Sequence, residues 1–329
     1  MSFKLREGSL NHAYLTDEDI WRIFSSLMSA KSSKSATYKY VLFKSLIENL
    51  YNVNDHLELT YEQLAYSFAK MYWNMVAVNG ITNHNSGKNA RTAVIIMDYQ
   101  QAHQVPPGWA FDRLAGETQL QIINKMKAAM KVNVFGALYG DTDARFYAFD
   151  HKAERLHFHP QVYKFLLNYQ SLLVQLTNFH LGKMIEKLNS PLSAAMLLRI
   201  EDLSKRSSLK PFEEVLLSYV TKTCFYCQKP LQQGNRQTQV DHFIPWSFVQ
   251  SDQIWNLVLS CGPCNNAKRD KLAKEDFLVK LIDRNEELLD KMEDGNLTGQ
   301  FTAYKAEKLE MMYEYSMKNG FDEIWVPSP

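Results

Sequence analysis

The sequence predicts a mainly α-helical N-terminal region with one small β-hairpin, followed by a short cysteine-bearing unit and a helical C-terminal extension. Three observations carry this. Apolar residues recur at helical spacing, with capping signals, over most of the first 220 or so residues. All four cysteines lie between positions 224 and 264 as two C-x2-C pairs. From Glu275 onward the chain becomes acidic, in the manner of solvated helix faces.

At 329 residues, 46% hydrophobic and 22% charged, the chain can bury a large core and is expected to make two or more folding units. The expected divisions are 1–205, 206–275 and 276–329. The start of the chain is polar and no apolar run nears the roughly 20 residues of a membrane-spanning helix. Neither a signal peptide nor an anchor is expected, and the expected location is cytoplasmic.

Thr16 followed by Asp19 and by Ile20, Ile23, Phe24, Leu27 and Met28 reads as an N-cap and an amphipathic helix. A second helix is expected from about Ala36 to Tyr51. Thr60 and Gln63 form a capping box ahead of Leu64, Phe68, Met71 and Met75, and Gly80 marks the end of that helix. The Asn- and Gly-rich stretch 80–88 reads as a loop; its Gly87 and Lys88 do not make a phosphate loop, because Thr82 and Asn89 stand where a Gly and a Ser or Thr are needed. A helix over 117–132 precedes two apolar runs, 134–139 and 145–149, around the turn residues Gly140 to Asp143. They predict a hairpin, with Gly136 weakening its first strand. Such a hairpin either covers the helical core or forms a DNA-binding wing, and the first reading is preferred. Pro160 opens a long helix to about Leu188, with Phe165, Leu166, Tyr169, Leu172, Leu173, Leu176 and Phe179 on one side. Ser190 with Pro191, and Lys210 with Pro211, read as further helix starts.

Net charge is +1 overall, but its distribution is uneven. Residues 203–274 hold ten basic and five acidic side chains, and residues 275–329 hold six basic and thirteen acidic ones. The first stretch suits a polyanion. Within it, Cys224 and Cys227, then Cys261 and Cys264, have the spacing of zinc knuckles. Without an export signal or a thioredoxin-like context, four thiolates on one structural Zn2+ are the expected reading.

Between and after the pairs stand Asp241, His242 and Pro245, then Asn256, Leu257 and Leu259, then Cys264, Asn265 and Lys268. This D-H-x-x-P, N-L-x-L, C-x2-C-N-x2-K series over about residues 220–275 resembles the HNH endonuclease family. The resemblance implies an α+β fold of the ββα-metal (HNH) type around the four-cysteine zinc site. It also implies metal-dependent cleavage of phosphodiester bonds to 5′-phosphate and 3′-hydroxyl ends. Asp241 and Asn265 offer hard oxygen ligands and are, by resemblance, the ligands of a catalytic Mg2+ or Mn2+. In an extended strand His242 points away from Asp241, and its imidazole is the implied general base. Asn256 is the implied brace of the loop carrying His242. Lys268, Arg269 and Lys271 are expected to contact nucleic acid as backbone-positioning charges.

The expected substrate is double-stranded DNA, with a regulatory protein partner and a homodimer as further partners and no membrane. The long helical region is then a regulatory or targeting region, a layout like that of bacterial restriction and phage-defence nucleases. The rival readings are a non-catalytic zinc-ribbon nucleic-acid-binding module and a homing or mobile-element endonuclease. A bare ribbon requires none of Asp241, His242, Asn256, Asn265 and Lys268.

Overall fold

The computed structural model describes residues 5–29, 37–81, 90–189, 200–205, 208–231, 238–292 and 301–327. The chain divides into two units, Met1–Ser207 and Ser208–Pro329. The expected helix start at Ser190 and Pro191, and most of the 80–88 loop with its Gly87 and Lys88, lie outside the described residues.

In the first unit the capping signals act as written. Thr16 caps α1 (Asp17–Met28): its hydroxyl accepts from the Asp19 amide at 3.2 Å, and the Asp19 carboxylate accepts from the Thr16 amide at 3.1 Å. Ile20, Phe24, Leu27 and Met28 form the buried face. Thr16→Ala is expected to cost this unit about 1 kcal/mol, read as a lower urea midpoint. An unchanged midpoint would mean that water replaces the cap.

The next helix, α2 (Tyr38–Glu48), is buried from Lys39 to Glu48 all round its circumference. Its charges are met internally. Lys44 Nζ donates to Asn178 Oδ1 at 3.0 Å, Ser204 donates to the Glu48 carboxylate, and Lys39 pairs with Asp141. Burial lowers the Lys44 pKa and raises that of Glu48. Helix α3 (Tyr61–Trp73) starts on the Thr60 and Gln63 box and passes into a π-helical turn, Asn74–Val78. Gly80, with φ +62°, ends the run, and α4 is Arg91–Ala102.

The expected hairpin is displaced. A single helical run passes from α5 (Gly116–Ala129) through a π-helical turn, Met130–Val134, into α6 (Phe135–Asp141). Val134 to Leu138 are buried, and a short buried apolar run has no period that separates strand from helix. The second apolar run alone enters a sheet, and its hairpin partner is the strand that follows it, not the run before it. The strands are β1 (Glu7–Gly8), β2 (Glu58–Thr60), β3 (Tyr147–Asp150) and β4 (Arg155–Phe158), in antiparallel order β1-β3-β4-β2. The β3–β4 hairpin is therefore internal to the sheet and does not stand free as a wing. Tyr147 holds it to α6 by donating to the Phe135 carbonyl at 2.7 Å. Gly8 is needed in β1, because a Cβ there would lie 2.6 Å from the Phe149 ring.

The long helix expected from Pro160 is two helices, α7 (Pro160–Asn168) and α8 (Gln170–Leu188), broken at Tyr169 (φ −119°, ψ 19°). Leu173, Val174 and Leu181 face inward, while Leu172 and Phe179, expected inside, are 44% and 47% exposed.

The second unit opens with α9 (Lys210–Tyr219), Pro211 lying in its first turn. Strands β5 (Thr238–His242) and β6 (Leu257–Cys261) form an antiparallel ladder in which Thr238 faces Cys261 and His242 faces Leu257. The connection carries a short helix, α10 (Trp246–Val249), and β6 leads directly into α11 (Gly262–Lys268). Strand β7 (Leu272–Ala273) pairs in parallel with β8 (Ile324–Trp325), and between them lie α12 (Glu275–Met292) and α13 (Ala306–Lys318). Leu281, Leu288, Leu309 and Met312 are buried, so the acidic segment contributes apolar faces to this unit. Among the described residues no helix is long and apolar enough to cross a membrane.

Candidate active site and cysteine cluster

The first cysteine pair sits in a tight turn. The Cys224 amide donates to the Lys229 carbonyl and the Phe225 amide to the Leu259 carbonyl, both at 2.9 Å, which docks the turn against β6. Cys261 ends β6, and Pro263 lies in the first turn of the helix that carries Cys264. The four cysteine ligand atoms lie within 4.8 Å of one another, with Cys227 and Cys261 Sγ 3.8 Å apart. A tetrahedron with Zn–S bonds of about 2.3 Å has edges of about 3.8 Å. The cluster therefore fits a zinc ion. Burial pushes up the Cys224 and Cys264 thiol pKa values, and neighbouring thiols add to this at Cys264. Cys227 goes the other way: burial, which would raise it, is outweighed by the Lys229 amide and the other thiols, and its pKa is lowered.

Asp241 and His242 end β5 and face opposite ways, as strand alternation requires. Asp241 is buried. Its Oδ2 accepts from the Tyr226 hydroxyl at 2.5 Å and pairs with Lys268 Nζ at 3.0 Å. Burial, then the charge of Asp241, raises the Tyr226 pKa well above its ordinary value. His242 keeps 13% of its side-chain surface, and its Nε2 lies 2.9 Å from Oδ1 of Asp252, which is 5% exposed. An ionised carboxylate only accepts, so Nε2 is the donor in this bond, which puts the lone pair of a neutral imidazole on Nδ1.

Asn256 clamps the chain just past His242. Its side-chain oxygen accepts from the Ile244 amide at 2.8 Å, its Nδ2 donates to the Ile244 carbonyl at 3.0 Å, and its own carbonyl accepts from the Phe243 amide. Asn265, in the first turns of α11, donates through Nδ2 to Gln239 Oε1 at 2.7 Å. Gln239 lies two residues from Asp241 on β5, so this bond brings Asn265 to the strand face that Asp241 shares.

The three expected nucleic-acid contacts separate. Lys268 is fully buried; its Nζ donates to the His242 carbonyl at 2.7 Å as well as to Asp241. It cannot reach a phosphate in this arrangement, because the last turn of α11 faces β5 and the Asp241 carboxylate draws the ammonium inward. Lys271 pairs with Glu323. Arg269 is exposed, with no carboxylate partner among the described residues, and its φ of +50° turns the chain out of the helix.

Tyr226, Gln239 and Asp252 are the site residues that the motif did not single out. Asp252 had one signal, a lone carboxylate in a polar loop ten residues after His242. Tyr226 had none beyond its place between two cysteines.

A hairpin and a helix that converge on four cysteines, with a carboxylate and an imidazole on the two faces of one strand and an amide on the helix beside it, make a candidate metal centre. Residues 224–274 match the family model described as HNH endonuclease. No curated protein and no solved structure matches the chain.

Proposed function

We propose that the second unit is a divalent-metal-dependent HNH endonuclease that hydrolyses phosphodiester bonds in DNA. His242 is its general base, and Asp241 and Asn265 are the ligands of a Mg2+ or Mn2+ ion. The observation that carries this is the placement of Asp241 and His242 at the end of one strand and of Asn265 on the following helix, tied to that strand through Gln239, inside the stretch that matches the family. The donor set fits a hard cation. Asp241 Oδ1 and Asn265 Oδ1 take no hydrogen bond among the described residues, since the partners of these two side chains occupy Asp241 Oδ2 and Asn265 Nδ2. When bound, the ion supplies positive charge at the phosphate and at the leaving oxygen.

The chain's own residues do the rest. Asp252 fixes the His242 ring so that Nδ1 takes a proton from the attacking water. The water oxygen bonds to phosphorus, the bond from phosphorus to the 3′ oxygen breaks, and solvent protonates the departing oxygen. Asn256 keeps the loop after His242 in place. Arg269 contacts the phosphate backbone, with Lys271 beside it. The first unit targets or restrains the cut, as in restriction or phage defence. One such site cuts one strand, so double-strand cleavage takes a homodimer or a second visit.

One observation favours a second reading, a zinc module that binds without cutting: the Lys268 ammonium already neutralises Asp241. Supercoiled plasmid decides between them. The full chain with Mg2+ or Mn2+ is expected to yield open circles, and EDTA to stop this. Plasmid binding without nicking by either ion supports the binding module.

A further inference from the structure

We propose that Tyr226 ties the cysteine cluster to the catalytic carboxylate. The residue held between Cys224 and Cys227 fixes Asp241 through Oδ2 and leaves Oδ1 as the oxygen for the divalent ion. This rests on the reading of Asp241 as a metal ligand and adds a positioning residue to it.

Three features support the assignment. The Tyr226 backbone is pinned on both sides, because its neighbours 224 and 227 both belong to the cysteine cluster and the Phe225 amide is bonded to β6. The ring is held as well: it meets Phe277 edge-on with centroids 5.7 Å apart and Trp325 with centroids 5.0 Å apart. Among the described residues the hydroxyl then reaches a single acceptor, Asp241 Oδ2, at 2.5 Å. Lys268 Nζ meets the same oxygen. Two donors converging on one carboxylate oxygen fix the rotation of the group, and a ligand held in this way loses less freedom when it takes a cation. The neighbouring Phe225 packs on Phe243 and Phe277 but has no polar atom to offer, so hydroxyl and packing can be separated by substitution.

The test uses the full zinc-loaded chain. Tyr226→Phe deletes only the hydroxyl, and Phe225→Leu trims the packing beside the Tyr226 ring while leaving the hydroxyl present. Zinc content, thermal midpoint and Mn2+ affinity, followed by the resonance of free Mn2+ without DNA, are measured for both variants and the parent. In Tyr226→Phe, zinc content is expected to stay at the parent level while Mn2+ binding weakens roughly 10- to 100-fold. Plasmid nicking by this variant should then need correspondingly more Mn2+, with its maximal rate largely recovered at saturation. Phe225→Leu is expected to bind Mn2+ as the parent does. Parent-like Mn2+ affinity in Tyr226→Phe overturns the proposal, and so does equal weakening in the two variants, which would assign the effect to packing. Absence of Mn2+ binding by the parent sinks the metal-ligand reading first and the proposal with it.

Discussion

His242→Ala is expected to lower the single-turnover rate of plasmid nicking roughly a hundred- to ten-thousand-fold, the usual worth of a positioned general base. The ladder should hold. His242 is the last residue of β5; its carbonyl accepts from Lys268, and the rung to Leu257 is a main-chain pairing, both of which an alanine keeps. What alanine removes is the bond to the buried Asp252 carboxylate, so the thermal midpoint should fall somewhat, while plasmid binding and zinc content match the parent and cutting is lost. Asp252→Asn is expected to shift the rate in the same direction by less, because an amide can still meet Nε2 but no longer dictates which ring nitrogen keeps its hydrogen. If His242→Ala nicks at the parent rate, the base lies elsewhere and the assignment of Asp252 goes with it.

The second large effect is on stability. Replacing Cys224, which is fully buried, by serine should leave the second unit unfolded. Structural zinc in small domains is worth roughly 10–16 kcal/mol in apparent binding free energy, whereas whole domains are stable by only about 5–15 kcal/mol. The turn at Cys224, the end of β6 and the start of α11 all converge on the cluster, so the ladder that carries Asp241 and His242 has its margin removed. The first unit has its own core and should survive. Limited proteolysis of the variant is expected to leave a resistant fragment ending near Ser207 and to digest the remainder. A protected second unit that holds no zinc by elemental analysis would show that the cluster does not hold this fold together.

Much of the second unit was legible because its chemistry writes itself in short spacings. Two thiolates can share an ion only at a few separations, and Asp241 with His242 places two functions on the two faces of one strand. Long-range consequences were less legible. Nothing local distinguishes a lysine that faces solvent from Lys268, which turns inward because a buried carboxylate waits across the hairpin. Tyr226 and Asp252 reach their partners over 15 and 10 residues of chain, distances at which spacing carries no signal. In the first unit the caps at Thr16 and Thr60 are local devices and were readable. The burial of Lys44 and Glu48 inside α2 was not, since a helix wrapped on all sides has no polar face to give its setting away. The run 134–139 failed for the related reason that a short buried segment has no alternation to separate strand from helix. Tyr169 breaks a helix whose apolar spacing continues across it, so the spacing carried no sign of the break.

The β5–β6 ladder also serves as a ruler. Thr238 faces Cys261, and Asp241 stands three residues further along the strand, facing Val258. At about 3.4 Å per residue that is a separation of about 10 Å along the strand. Enzymes in which two ions clamp one phosphate hold them roughly 3.5–4 Å apart. The offset along the strand exceeds that span, so in the proposed enzyme an ion on the cysteine cluster would brace the Asp241 end of the ladder and would not act on the bond being broken.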